Sequence, residues 1–356
     1  MPGISGKPLK SVIQSIAFTK TGRIYVNKLL KKARENAKPD KCILCGKPQT
    51  SFCNSHSIPH MILKTIACEG KVLEPWMLMD EIDVVDLESG IKKSGTFHFI
   101  CRECDALYFQ DYENKEALLN DPTDKMLAEI ALKSMLQMLS KRNEEIALFD
   151  IFQKRSGAII NKELLDEDKL LDINDYMFDM DVYKRIIQNN EKGGFKIVFW
   201  EKLPYVTPIA VQTPITLYKD IEGTVINDIY NPDPNLHMQT MFMCVFPIEH
   251  ETVVGVFYHK KDRNYRSFLH QMNCMSASKK LQYINYLFFA NTENYYFSKT
   301  IEDIVRNNEK LKLLGQENNG NPHLGMLKPL EQLLEYKQIK PDEIPNFLMP
   351  EYKINS

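Results

Sequence analysis

A chain of 356 residues is long enough for one large or two ordinary domains with proper cores. Its 44% hydrophobic and 26% charged residues are those of a globular protein, and no apolar run approaches the ~20 residues that would span a bilayer. The net charge of −2 excludes a uniformly basic or acidic chain, and Met1-Pro2-Gly3-Ile4 opens no apolar signal-peptide core. A cytoplasmic, reducing setting with no membrane partner is therefore expected, in which the eight cysteines are thiols or metal ligands and not a disulfide framework.

Charge is unevenly placed. Residues 1–41 carry ten basic residues against Glu35 and Asp40. Within them Tyr25–Arg34 reads as a short basic helix bearing Lys28, Lys31, Lys32 and Arg34. Such an arm is an electrostatic footprint for phosphate, hence for nucleic acid; a solvated helix face is the alternative.

Next come Cys42-Ile43-Leu44-Cys45-Gly46 and, much later, Cys101-Arg102-Glu103-Cys104-Asp105. Each C-x-x-C pair offers two thiolates to one tetrahedral ion, and Gly46 suits a knuckle turn that needs positive φ. A structural Zn²⁺ held by Cys42, Cys45, Cys101 and Cys104 is the strongest expectation. Between the pairs lies Ser55-His56-Ser57-Ile58-Pro59, read as a short strand ending at His56 and a turn at Pro59. Residues 60–68 read as helix and 71–95 as an insertion: Val72, Leu73, Trp76, Met77 and Leu78, then acidic Asp80, Glu81, Asp83 and Asp86, then a Ser89-Gly90 turn. Thr96–Ile100 alternates like a strand, and Asp105–Glu113 reads as a helix that puts positions 105, 109 and 113 on one face.

The order C-x-x-C, His-x-x-Pro, strand, C-x-x-C, helix resembles the zinc-stapled branch of the HNH nuclease family, over about residues 40–115. That resemblance implies a ββα-metal hairpin, phosphodiester hydrolysis with DNA as the first substrate choice, and a catalytic divalent ion such as Mg²⁺ or Mn²⁺ beside the structural zinc. His56 falls on the family's general base and Pro59 on its Pro. Asp105 falls where a metal ligand follows the last cysteine, and Glu113 or His98 could supply another. An N-cap role for Asp105 stands beside the ligand role. Two positions depart from the pattern: Ser55 stands where a ligand usually precedes the His, and Thr96 where an Asn braces the loop. Those departures keep a non-catalytic zinc-stapled module, binding nucleic acid or protein, as the alternative. Stand-alone HNH proteins with large C-terminal regions often resemble restriction or anti-phage effectors. His60 and His98 read otherwise as structural or phosphate-contacting, and Cys53, Cys68, Cys244 and Cys274 as buried small hydrophobes.

Beyond residue 118 the pattern changes. Asp121-Pro122-Thr123-Asp124 reads as a helix start, and Met126, Leu127, Ile130, Ala131, Leu132, Met135, Leu136 and Leu139 recur at helical spacing. Residues 158–192 read as acidic helix, with Asp172, Asp175, Asp179 and Asp181 on a solvated face. Strands are expected at 195–200, 209–217, 224–229, 241–247 and 252–258, and helix at 276–312. The fold class is α+β: a basic arm (1–41), a zinc-bound HNH-like module (42–118), an α+β regulatory, substrate-selecting or partner-binding domain (119–320) and a C-terminal tail (321–356).

Overall fold

The computed structural model describes residues 20–74, 88–156, 162–229, 231, 233, 235–318 and 339–354. In chain order the first elements are α1 (Lys20–Asn36), β1 (Ser55–His56), α2 (His60–Ile66), β2 (Lys71–Leu73), β3 (Glu88–Gly90), β4 (Thr96–Phe97), α3 (Arg102–Tyr108) and α4 (Lys115–Leu118). Two long helices follow, α5 (Asp124–Ser156) and α6 (Lys162–Asn189), then β5 (Phe195–Leu203), β6 (Ile209–Ile215), β7 (Met241–Ile248) and β8 (Glu251–His259). The rest is α7 (Tyr265–Asn273), α8 (Ala277–Asn291), β9 (Tyr295–Phe297), α9 (Glu302–Arg306) and α10 (Glu309–Asn318). The mixed helix-and-sheet class expected from the sequence is observed.

Seven strands form one antiparallel sheet in the order β3-β2-β9-β6-β7-β8-β5. β7 shows why it is buried on both sides. Phe242, Cys244 and Phe246 point into one apolar cluster with α5 and α6, while Met241, Met243 and Val245 point into a second with α7 and α8. Side chains alternate across a strand, so an apolar residue at every position demands a covering layer on each face. β2, from the segment between the two cysteine pairs, joins the sheet through Leu73 opposite Phe297. Pairing therefore runs continuously from residues before 118 to residues after it.

α5 is the central helix. Thr123 Oγ1 accepts from Met126 N at its start, and the Asp124 carboxylate accepts from the amides of Gly193, Gly194 and Phe195, which pins the helix to the start of β5. All eight apolar positions expected to face the core are buried. So are Glu129, Lys133, Ser134, Gln137 and Arg142, because sheet, hairpin and neighbouring helices surround α5.

Several expectations need correction. Residues 224–229 are turn and loop with one isolated bridge, Lys219 to Val225, because Asp220 Oδ1 captures the amides of Glu222 and Thr224 in a tight turn. The acidic face of α6 is mostly not solvated. Asp172 pairs with Arg142 at 2.5 Å, and Asp175 and Asp179 grip His237 at 2.9 and 3.0 Å, leaving Asp181 exposed. Cys274 is exposed, whereas Cys244 is buried as expected. The apolar and acidic residues 76–86, and Lys7 and Lys10 of the arm, lie outside the described residues. In the tail, Ile344, Phe347 and Leu348 are buried on the sheet, where the Asn285 side chain holds Pro345 O and Phe347 N.

Candidate metal centre and hairpin cleft

The two cysteine pairs meet. Gly46 takes φ +70° and its amide donates to Cys42 O at 2.8 Å, closing the first knuckle. Cys101 caps α3, its sulfur accepting from Cys104 N at 3.5 Å, and Cys101 N donates to Cys42 Sγ at 3.3 Å, which joins the knuckles. All four sulfurs lie within 4.8 Å of one another, with Cys45 Sγ 3.9 Å from Cys101 Sγ. A tetrahedral zinc with ~2.3 Å bonds needs sulfurs about 3.8 Å apart. The donor set therefore fits a closed, four-thiolate zinc. Burial and the neighbouring thiols push Cys101 and Cys104 up. Burial also raises Cys42, but backbone amides of Cys101, Cys45 and Leu44 outweigh it and bring Cys42 down to about 7.

The four-cysteine cluster sits at the base of a short hairpin. β1 pairs antiparallel with β4, His56 opposite Thr96 and Ser55 opposite Phe97, and Cys53 N to Ile100 O continues the pairing at 2.9 Å. From β4 the chain runs straight through Cys101 into α3. Gly95 takes φ +62° at the turn, where an added Cβ would meet Ser57 Oγ and Tyr296 Oη at 2.6 Å. Thr96, at the bracing position, caps only its own turn through Lys93 O.

His56 opens onto a cleft of about 220 Å³ also lined by Asn54, Pro59, His60, Asp105 and Glu113. The His56 ring is 5.4 Å from the exposed His60 ring, edge to face. Its Nε2 lies 3.0 Å from Ile91 O. A carbonyl only accepts, so Nε2 carries the proton and Nδ1 is left as the basic nitrogen. Burial lowers the His56 pKa below its ordinary value, against the pull of that hydrogen bond, so the ring is neutral at pH 7.

The α3 reading is corrected in two respects. The helix ends at Tyr108, because Glu129 of α5 captures the amides of Asp111 and Tyr112, both at 2.9 Å. Glu113 still reaches the cleft, from the turn that follows. Asp105 is not the N-cap; Cys101 is. The Asp105 carboxylate instead accepts from Ser55 Oγ at 2.7 Å, from Cys53 Sγ at 3.3 Å and from Lys133 Nζ at 2.8 Å. Cys53 is thus a hydrogen-bond donor and not inert packing, and burial followed by the Asp105 charge pushes its thiol up to about 11.

Lys133 is the residue that sequence reasoning missed. Its side chain is fully buried, and Nζ contacts Asp105 Oδ1 at 2.8 Å, Ser55 Oγ at 2.9 Å and Glu113 Oε1 at 3.1 Å. The Phe109 ring lies 3.7 Å below it. Burial pushes Asp105 up, but the Lys133 charge and the hydrogen bonds outweigh it and hold Asp105 below its ordinary value. Glu113 stays above its own: burial raises it, Lys133 opposes and Asp105 adds to the rise. The signal was present in the sequence. Lys133 sits seven residues after Met126 and three after Ile130, on the apolar stripe of α5.

A second, catalytic divalent ion does not fit this donor set. Asp105 and Glu113 are both engaged by Lys133, and among the described residues the four cysteines are the one group of three or more His, Cys, Asp or Glu side chains placed to hold a metal. His98 is half-buried, its pKa lowered by burial and by Lys38 and Arg34, which ties it to the basic segment.

The expected basic arm is a docked helix where it is described. Leu29 and Ala33 of α1 are buried against Ala147, Leu148 and Ile151 of α5, and Arg34 pairs with Glu144 at 3.5 Å. Lys28, Lys31 and Lys32 stay exposed, with Lys31 reaching Glu35 at 4.0 Å. No helix among the described residues is long and apolar enough to cross a membrane.

No protein family, curated protein or solved structure matches this chain.

Proposed function

We propose that the hairpin cleft hydrolyses phosphodiester bonds of nucleic acid, DNA ahead of RNA, in the manner of an HNH-type endonuclease. One observation carries the reading. A neutral, half-buried His56 sits on the first strand of a zinc-stapled hairpin, its Nε2 fixed by a backbone carbonyl and its ring facing a small polar cleft. That is the requirement for a general base at neutral pH: the right protonation state and a fixed ring. His56 Nδ1 takes a proton from a water in the cleft, and the water oxygen bonds to phosphorus. The bond from phosphorus to the sugar oxygen breaks, and that oxygen leaves with a proton, for which the exposed His60 is the nearest imidazole. The zinc takes no part in these steps, since four thiolates close its shell. The exposed Lys28, Lys31 and Lys32 of α1 supply phosphate contacts that hold the strand.

The reading is tested by incubating the zinc-loaded protein with supercoiled plasmid and with single-stranded RNA, alone and with Mg²⁺ or Mn²⁺. Nicking of plasmid is expected. Binding of both nucleic acids without cleavage of either would overturn it.

A second reading is favoured by Lys133. The ligand positions 55, 105 and 113 are spent on a buried ammonium, which is how a hairpin without catalysis would be anchored to its helix. In that case the chain is a zinc-stapled module that binds nucleic acid or a partner protein and leaves it uncut.

A further inference from the structure

We propose that Lys133 is the resident cation of the hairpin cleft, supplied by the protein in place of a divalent ion. Three positions are those that the resemblance to HNH nucleases, and for 113 the helical spacing from 105, would offer as ion ligands: 55, directly before the base; 105, directly after the last cysteine; and 113. In the fold their side-chain oxygens converge on one atom, Lys133 Nζ, at 2.9, 2.8 and 3.1 Å. An ammonium has three protons and no acceptor, so these three oxygens use its whole donor capacity. The Phe109 ring lies 3.7 Å from Nζ, and its face attracts cations. The coordination is that of a captured cation, with its ligands contributed by β1, α3 and the turn beyond α3.

The surroundings hold it there. Lys133 is on the central helix, one turn after Glu129, and Glu129 clamps the amides of Asp111 and Tyr112. The same helix face thus fixes both the cation and the turn that delivers Glu113. A hard divalent ion needs about six oxygens. Here the two carboxylates it would use already face an ammonium, and an added ion would sit beside a like charge.

The consequence for function rests on the phosphodiesterase reading. Asp105 and Glu113 line the cleft, and uncompensated they would repel a phosphodiester. Lys133 offsets that charge as a metal ion would, without contacting the substrate. It is a charge-compensating and positioning residue. On this reading the cleft needs no metal ion of its own beside the four-cysteine centre.

The test is metal binding by the full-length, zinc-loaded protein, read by elemental analysis and by Mn²⁺ titration followed by electron paramagnetic resonance. Wild type is expected to hold one zinc and to take up no Mn²⁺ in the cleft. Lys133→Ala, which frees both carboxylates, is expected to bind one Mn²⁺ roughly tenfold or more tighter than wild type, and Asp105→Asn in the same chain to remove it. Lys133→Met keeps the length of the stem and serves if the alanine variant does not fold. A wild-type chain that binds one Mn²⁺, absent in Asp105→Asn, overturns the proposal. So does a folded, zinc-loaded Lys133 variant that gains no ion. Plasmid nicking separates the two claims. Wild-type cleavage that persists after dialysis into metal-free buffer, zinc retained, supports a built-in cation. No cleavage under any condition removes the nuclease reading and leaves the Mn²⁺ result standing.

Discussion

Lys133 Nζ and Asp105 Oδ1 are 2.8 Å apart across 28 residues of sequence, one buried on the central helix and the other at the start of the helix after the second zinc knuckle. This ion pair ties the stapled hairpin to the core of the large sheet. Removing either partner leaves the other charge without its best neighbour in a poorly hydrated place. Asp105→Ala is therefore expected to destabilise the protein by about 2–3 kcal/mol, short of the ~3–5 for breaking a fully buried pair, because Glu113 still holds Lys133. Urea unfolding followed by circular dichroism measures it. A destabilisation of about 1 kcal/mol or less is what a surface cap would give, and would mean the pair contributes little.

The zinc centre makes a separate claim. One zinc per chain is expected by elemental analysis of protein purified without chelator, and Cys104→Ser should lose it. Cys104 belongs to the same buried cluster as Phe97, Phe99 and Tyr108. Removal of the metal should therefore loosen the hairpin as a whole, since metal binding there is folding free energy. Hydrogen exchange over residues 42–108 would report it; unchanged protection in a zinc-free chain would contradict it.

Much of this hairpin was legible because its chemistry needs fixed letters at fixed spacing. Two C-x-x-C pairs and Gly46 specify a knuckle, and the four sulfurs do meet. The central strands of the sheet were legible as short apolar runs on either side of a polar turn, as at β7 and β8 around Glu249 and His250. What escaped was long-range pairing of charge. Lys133 was hidden in an apolar run, and its partners lie 20 to 78 residues away in sequence. The end of α3 at Tyr108 was hidden for the same reason, because the residue that stops it, Glu129, belongs to another helix. The acidic run of α6 looked solvated because the groups it grips, Arg142 and His237, come from distant elements.

His237 supplies a pH dependence. It is held between Asp175 and Asp179, with Lys261 at 3.2 Å, and joins the loop before β7 to α6. Burial lowers its pKa, but the two carboxylates outweigh that and raise it from 6.5 to about 9. The folded state thus binds more protons than the unfolded one between those values. The contribution is fully present below pH 6.5 and is lost as pH rises through 9. Burial raises the nearby Asp262 to about 7, which acts in the same direction at lower pH. Stability should fall on the order of 2 kcal/mol between pH 7 and 10, His237 being partly exposed. His237→Gln should flatten that slope between about pH 7 and 9; an unchanged slope would show that the two carboxylates do not hold a charged ring.

The basic helix is tested apart from Arg34, which is engaged with Glu144. Reversing Lys28, Lys31 and Lys32 to Glu should weaken binding to all DNA sequences alike. The slope of log affinity against log salt should become shallower by about 0.9 for each phosphate that the helix no longer neutralises. Fluorescence anisotropy at several salt concentrations gives the slope, and an unaltered one would leave α1 a solvated helix.

On the nuclease reading proposed above, cleavage in the hairpin cleft depends on His56. The most direct measurement is the rate of plasmid nicking by wild type and by His56→Ala, both zinc-loaded, across pH 5–8 and with several divalent ions. Wild type should cleave, with the acid limb of its rate lying below the ordinary histidine value of 6.5, because burial lowers the His56 pKa. His56→Ala should keep its zinc, its fold and its DNA affinity and lose about 10²–10⁴ in rate. Wild type that binds DNA and never nicks it, or a His56→Ala chain that nicks at the wild-type rate, would contradict His56 as the general base.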